Sequence, residues 1–313
     1  MAATDPKSSL MFALAWIAGT LPAGLRRGLA RAWASASARG SRDYQVARTN
    51  LALIAPALAN DATGFTSESR VREVLLQARL TALESLRFWT RPTALNLRQV
   101  RAVHGEEYLQ VALANGRGVI IAAPHYGNWE LLNQWLAART PLAILYAPPE
   151  SGSAEAFLNR VRQRPGVEAI AADAHAVRRL LRRLRAGGVV GILPDQQPKN
   201  GDGVFAPFFG CPALTMSLLP RLAHRSGAAV LLAVAERRTD GDFDIVIDPG
   251  PAAIADPDPA VGAAALNAAI EQLVRRDPSQ YQWTYKRYSV APSRLGRDNP
   301  YWPQCYPNRR GSR

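Results

Sequence analysis

His125 and Glu130 stand at the two ends of the segment His-Tyr-Gly-Asn-Trp-Glu, directly behind the apolar run Gly118 to Ala123. An imidazole exchanges protons near neutral pH, and one ring nitrogen serves as a general base when the other is held by a carboxylate that fixes the tautomer and stabilises the imidazolium. The spacing predicts such a dyad. If the apolar run is a strand and the turn after it opens a helix, Glu130 lies in the first helical turns, accepts the Nδ1 proton of His125 and leaves Nε2 free. The bland alternative is a buried histidine satisfied by backbone and an exposed helix glutamate. The strand before the histidine and the Gly127-Asn128-Trp129 turn after it favour the dyad, because ligands of open α/β sheets bind at the carboxyl ends of strands.

The elements that must position this pair follow from hydropathy. From Val100 onward, apolar runs alternate with helix-length segments: Gly118–His125, Leu142–Ala147, Gly188–Asp195 and Ala228–Glu236. Runs apolar on both faces and separated by helices predict an α/β fold with a central, mostly parallel sheet flanked by helices. Phe243–Gly250 alternates more strongly and reads as an edge strand. Before the sheet, residues 44 to 89 carry apolar positions three and four apart on both sides of a polar gap, the pattern of helices packed on a core. The expected organisation is a hydrophobic and basic N-terminal segment over residues 1–40, a single α/β domain over 41–290 and an irregular tail over 291–313.

A net charge of +13, carried by arginine far more than by lysine, requires anionic partners: nucleic acid, an anionic membrane face or an acidic carrier protein. Nucleic-acid binding predicts aromatics interleaved with Lys and Arg in a recognisable module, and only the stretch 281–288 has that composition. Leu10 to Leu21 form an apolar run of about a dozen residues, followed by Arg26, Arg27 and Arg31. That is shorter than the roughly 20 needed to cross a bilayer, and it suits a segment lying among anionic headgroups. A signal peptide cleaved near Ala36-Ser37-Ala38 is the competing reading, which the intervening arginines oppose. Cys211 and Cys305 stand alone, and His104, His175 and His224 have no partner at ligand spacing, so no metal or cofactor is expected and these histidines read as structural. Val177–Gly188 reads as an amphipathic basic helix with Leu180, Leu181 and Leu184 turned inward. Around Trp283, aromatics are expected under the sheet, with Lys286 and Arg287 available to a phosphate.

The block Gly116 to Leu136 resembles the His-x4-Glu/Asp motif of the late acyltransferases of lipid A biosynthesis, the lauroyl/myristoyl transferase family. Further blocks follow in the family's order: Leu145–Pro149, Asn159–Gly166, Gly188–Pro198, Val204–Thr215 and Gln280–Tyr288. The resemblance implies a glycerolipid-acyltransferase-like domain at the cytoplasmic face of a bacterial inner membrane. Such an enzyme moves a fatty acyl chain from acyl carrier protein to a hydroxyl of a lipid A precursor or related glycolipid, with His125 as base and Glu130 as its support. The rival acceptors are a phospholipid or a mannoside, with acyl-coenzyme A as donor. The resemblance also makes Asn128, Arg162, Arg164 and Asp195 the candidate substrate-binding residues. Either arginine would bind phosphate or polarise the reacting carbonyl, a task suited to an always-charged planar guanidinium, while a solvated helix face is the plain reading for the cluster that includes Arg160. Asp195 ends another strand on the side of the sheet that bears His125, and it would place that arginine rather than cap a helix. Glu150 is a weaker candidate.

Overall fold

The computed structural model describes residues 6–37, 39–58, 67–148, 151–162, 164–173, 175–198, 203–292 and 299–306. Among the described residues four helices lead the chain: α1 (Pro6–Gly19), α2 (Ala23–Ala36), α3 (Arg42–Leu58) and α4 (Glu68–Thr90), with the short α5 (Thr93–Leu97) behind them. The α/β part follows as β1 (Val100–His104), α6 (Glu106–Ala114), β2 (Val119–Ala122), α7 (Trp129–Ala137), β3 (Leu142–Tyr146), α8 (Gly152–Arg162), β4 (Val167–Ala171), α9 (Ala176–Arg185) and β5 (Val189–Ile192). After the hairpin β6 (Gly203–Phe208) and β7 (Cys211–Met216) come α10 (Leu218–Ser226), β8 (Ala229–Arg237), β9 (Phe243–Pro249) and α11 (Pro259–Arg276).

The central sheet has seven strands in the order β1-β9-β8-β2-β5-β3-β4. The five from β8 to β4 run parallel, while β9 is antiparallel to β8 and β1 is parallel to β9. The chain is thus an α/β protein with a mostly parallel sheet between helical layers. β2 and β5 are buried at every position, which is why their sequences read as continuous apolar runs rather than as alternation. One face packs against α9, α10, α11 and the early part of α4 through Leu180, Leu184, Leu222, Ile270 and Val74. The other packs against α6, α7 and the end of α4 through Leu109, Leu131, Trp135 and Phe88. Phe243–Pro249 was expected at the edge, but it is the second strand: β1, whose short and half-exposed sequence carries little periodic signal, covers it.

The N-terminal helices dock on α4. Arg91 stacks over Trp16 and donates to its carbonyl at 3.0 Å, and Arg160 of α8 lies over Phe12. This leaves Leu10, Leu14, Trp16 and Ile17 of α1 and Leu25, Leu29 and Trp33 of α2 exposed. Among the described residues no single helix is long and apolar enough to cross a membrane, and α1 and α2 meet at a bend of 112°. Arg26 does not face outward as expected for a headgroup contact. It is buried and donates to the Leu21 carbonyl at 2.8 Å, and Arg27 donates to Thr239 O at 2.9 Å.

Candidate active site

The site forms where the two central strands end. β2 and β5 pair in parallel with Ala122 opposite Ile192, and Ala123 N donates to Ile192 O at 2.9 Å. Three residues beyond each of these positions stand His125 and Asp195. Parallel pairing in register therefore sets the two side by side although 70 residues separate them. Asp195 Oδ1 lies 2.8 Å from His125 Nδ1, and Oδ2 accepts from the backbone N–H of His125, also at 2.8 Å. Tyr281 lies beside the same carboxylate and favours its charged form. Burial alone would raise this carboxyl, but the His125 charge, its two hydrogen bonds and Tyr281 outweigh it and hold Asp195 below the ordinary carboxylate range. The buried acid is therefore an anion at neutral pH, the form that accepts the Nδ1 proton.

The loop carrying His125 is fastened on three sides. Gly127 adopts φ +59°, and a Cβ there would meet the Ala235 carbonyl oxygen at 2.0 Å, so only glycine lets the loop lie against β8. Gln282 N donates to His125 O at 2.9 Å, and Gly127 N to Gln280 O at 3.2 Å. Thr81 of α4 donates to Gly127 O at 3.0 Å, beside a buried bidentate pair in which Arg237 holds Glu84 at 2.9 and 2.6 Å. Trp129 sets its ring edge-on to His125, centroids 4.9 Å apart. The imidazole is thus fixed in position, with its side chain 14% exposed.

Two expectations about carboxylates are exchanged by the structure. Glu130 does not accept the Nδ1 proton: it lies in the first turn of α7 and takes Arg162 Nη2 at 2.9 Å. Asp195 does not hold an arginine; it holds the histidine. The reason is geometric, because the turn that opens α7 carries Glu130 toward α8, whereas Asp195 leaves the neighbouring strand at the same height as His125. A signal for this was present in the sequence. Gly118-Val119 and Gly188-Val189 open two segments of one pattern, Gly-Val-x4-Pro, ending in His125 and Asp195.

Asn128 is fully buried and caps α7, accepting from the N–H groups of Glu130 and Leu131 and donating to Glu84. Its carboxamide is spent on the fold rather than offered to a substrate. Arg164 likewise serves the end of α4, donating to the carbonyls of Trp89 and Arg91 at 2.9 and 3.2 Å and to Thr93 Oγ1 at 3.0 Å. Arg287, expected near a phosphate, is buried on Leu214 O and Thr215 Oγ1, and Lys286 donates to Cys305 O. Glu150 lies outside the described residues. Beside Glu130 and Arg162 a cavity of about 20 Å³, bordered by Trp89, Asn133 and Arg164, has room for one water rather than a substrate group.

Gln196 and Gln282, which no sequence pattern singles out, also reach the histidine. Gln196 Nε2 lies 3.2 Å from His125 Nε2 and 3.3 Å from Gln282 Oε1. A carboxamide nitrogen only donates, so His125 Nε2 is the acceptor and the ring proton is on Nδ1, in agreement with the Asp195 contact. Gln196 is held in turn through its neighbour: Gln197 N donates to Tyr285 Oη at 2.9 Å and its side chain to Arg287 O at 3.0 Å.

Glu130→Gln tests the exchange of roles. It weakens the link to Arg162 and is expected to cost roughly 1–3 kcal/mol of stability in urea unfolding, the range for a buried group left poorly satisfied. Because the imidazole keeps its Asp195 contact, turnover of this variant should fall far less than that of a variant at Asp195. Equal losses at the two positions would contradict the observed pairing.

A histidine clamped by a buried carboxylate at the carboxyl end of a mostly parallel sheet stands where open α/β sheets bind their ligands. The chain belongs to the bacterial lipid A biosynthesis acyltransferase family, whose model matches residues 5–289. It is 26% identical over 253 residues to the lipid A biosynthesis palmitoleoyltransferase of Escherichia coli K12, covering 80% of each chain. To the lauroyltransferase of lipid A biosynthesis from the same organism it is 25% identical over 192 residues, 61% of this chain and 62% of the relative. A phosphatidylinositol mannoside acyltransferase of Mycobacterium tuberculosis matches at 31% over 137 residues, 42% of each. The protein is a lipid acyltransferase.

Proposed function

We propose that the enzyme transfers a fatty acyl chain from the thioester of an acyl carrier protein to a hydroxyl of a lipid A precursor, with His125 as general base and Asp195 as the group that fixes its tautomer. The observation that carries this reading is the His125–Asp195 contact, which leaves Nε2 as the ring's proton acceptor. The acceptor hydroxyl gives its proton to Nε2 while its oxygen attacks the thioester carbonyl carbon. The tetrahedral intermediate then expels the thiolate, which recovers that proton, giving an ester and a free thiol. Asp195 stays ionised throughout and stabilises the transient imidazolium. Arg162, fixed by Glu130 and part-exposed, remains the arginine available to an anionic part of the substrate. The exposed apolar faces of α1 and α2, with Arg31 beside them, fit an interfacial attachment to the inner membrane, on whose cytoplasmic side the donor is found.

The acidic carrier as donor is supported by α9. One side of this helix is spent internally, Arg179 on Asp173 and Arg183 on Pro141 O, while Leu180 and Leu184 are buried as expected. Arg178, Arg182 and Arg185 join Arg225 around a groove of about 520 Å³ floored by Val177 and the half-buried Leu181. None of these four guanidinium groups has an acidic partner among the described residues. α9 belongs to the layer opposite α7, and its N-terminus is at the sheet edge that bears His125. Arg178→Glu with Arg182→Glu should raise KM for carrier-bound donor at least about tenfold, since like charge now meets an acidic surface. Turnover with a small acyl thioester should be unchanged. Equal effects on both donors would remove the carrier from this groove.

The deciding experiment offers the purified full-length enzyme a lipid A precursor with acyl-carrier and acyl-coenzyme A donors in parallel, with products read by mass spectrometry. The expected product is the precursor carrying one more acyl chain, formed faster from the carrier. The relative named for a mannoside acceptor favours a second reading, so a phosphatidylinositol mannoside is included. Acylation of the mannoside alone would replace the lipid A acceptor.

A further inference from the structure

We infer that Gln196 is a catalytic residue of this acyl transfer: its carboxamide N–H, steered by Gln282, leaves His125 Nε2 when the acceptor hydroxyl arrives and stabilises the oxyanion of the tetrahedral intermediate. The inference rests on the assignment of His125 as general base. In the structure the lone pair that must receive the hydroxyl proton is capped by Gln196 Nε2 at 3.2 Å. A hydroxyl entering the site has to take that place, donor for donor, and the Gln196 amide is then freed beside the reacting atoms. It is not set loose. Its second N–H is 3.3 Å from Gln282 Oε1, the Gln282 backbone is bonded to His125 O at 2.9 Å, and the next residue, Gln197, is tied to Tyr285 and Arg287. The carboxamide therefore pivots within a frame that these contacts hold in place.

The chemistry at that spot asks for such a donor. As the hydroxyl oxygen bonds to the thioester carbon, the carbonyl π pair moves onto oxygen, and the proton released by the hydroxyl sits on Nε2. The negative charge is stabilised where it develops only if a donor stands within about 3 Å of it. Asn128 is engaged by the helix cap, and Arg162, tied to Glu130 through Nη2, is the guanidinium assigned above to an anionic part of the substrate. Gln196 is the side chain that already reaches Nε2, and a neutral donor suits the role because it leaves the proton affinity of the imidazole undisturbed. When the intermediate expels the thiolate and the product ester departs, the amide returns to Nε2 and closes the resting site.

The test uses the intact enzyme with carrier-bound donor and lipid acceptor. Gln196→Ala should lower kcat by about 10²–10³ with KM changed no more than a few-fold, the loss expected for one oxyanion donor. Gln196→Glu tests placement by charge rather than by bulk. A carboxylate beside Nε2 favours the imidazolium, so the acid limb of the kcat/KM profile should move to higher pH, which a merely structural residue would not cause. Gln282→Leu keeps the donor and removes its pivot, so its kcat loss should be smaller than that of Gln196→Ala. Thermal unfolding of each variant identifies any that fail to fold; if Gln196→Ala does not fold, Gln196→Glu and Gln282→Leu decide. Wild-type or increased kcat for Gln196→Ala, or an unmoved acid limb for Gln196→Glu, overturns the inference while leaving the base assignment standing. Activity surviving in His125→Ala instead removes the reading beneath it.

Discussion

His125→Ala is expected to lower acyl transfer by about 10²–10⁴ while the fold persists, because general-base catalysis contributes on that order and no other described side chain stands at the same place to supply it. Persistence of the fold follows from the contacts. Asp195 keeps the backbone N–H of residue 125 and its neighbour Tyr281, both of which stabilise the buried anion. The loop is held by Gln282, Gln280 and Thr81 through backbone atoms that the substitution leaves in place. The ring sits edge-on to Trp129 and remains part-exposed, so its removal opens a small space at the protein surface. The measurement is the rate of thioester consumption coupled to lipid acceptor, alongside thermal unfolding. A variant that folds and turns over at the wild-type rate would mean that His125 is not the base.

How far the sequence reveals this site depends on what kind of contact made it. His125 was legible because a strand that is apolar on both faces and stops at Pro-His is a local signal, readable from eight consecutive residues. Asp195 was legible only as a residue on the same side of the sheet. Its partner is fixed by the pairing of β2 with β5, a contact across 70 residues, and hydropathy alone does not state which strands are neighbours. Glu130 attracted the role through nearness in sequence, yet a helix that begins at Trp129 turns its first residues away from the strand that precedes it. Arg164 and Arg287 show a related limit. Both have the type and position expected of phosphate ligands, but each is consumed by buried carbonyls whose location depends on how distant segments cross. Gln196 is not legible because a glutamine carries no pattern of its own; its place at Nε2 depends on how the segment 280–287 wraps the His125 loop. The layer architecture was the most legible feature, since burial on both faces writes itself directly into β2, β3, β5 and β8.

Asp195→Asn is expected to reduce turnover by roughly 10³–10⁴, comparable to the loss seen when the aspartate of a serine protease triad is made an amide, although the side chain keeps its size and shape. The cause is the tautomer. In the wild type both carboxylate oxygens accept, Oδ2 from the His125 backbone N–H and Oδ1 from Nδ1, each at 2.8 Å. An asparagine has one oxygen, and the backbone N–H, which cannot rotate, claims it. The amide nitrogen then faces Nδ1, which must become an acceptor, so the ring proton moves to Nε2. A proton on Nε2 blocks the lone pair that the acceptor hydroxyl needs, and the imidazole becomes a well-positioned donor instead of a base. The acid side of the stability curve supplies a second readout. Because Asp195 is held below the ordinary carboxylate range in the folded state, its contribution to stability is fully present above the unfolded value near 4 and is lost as pH falls through the folded value. The stability difference between wild type and Asp195→Asn, measured by chemical unfolding, should therefore be greatest at neutral pH and shrink below about pH 4. A difference that stays constant down to that range, or turnover within tenfold of wild type, would show that the carboxylate does not hold the imidazole in solution as it does in the structure.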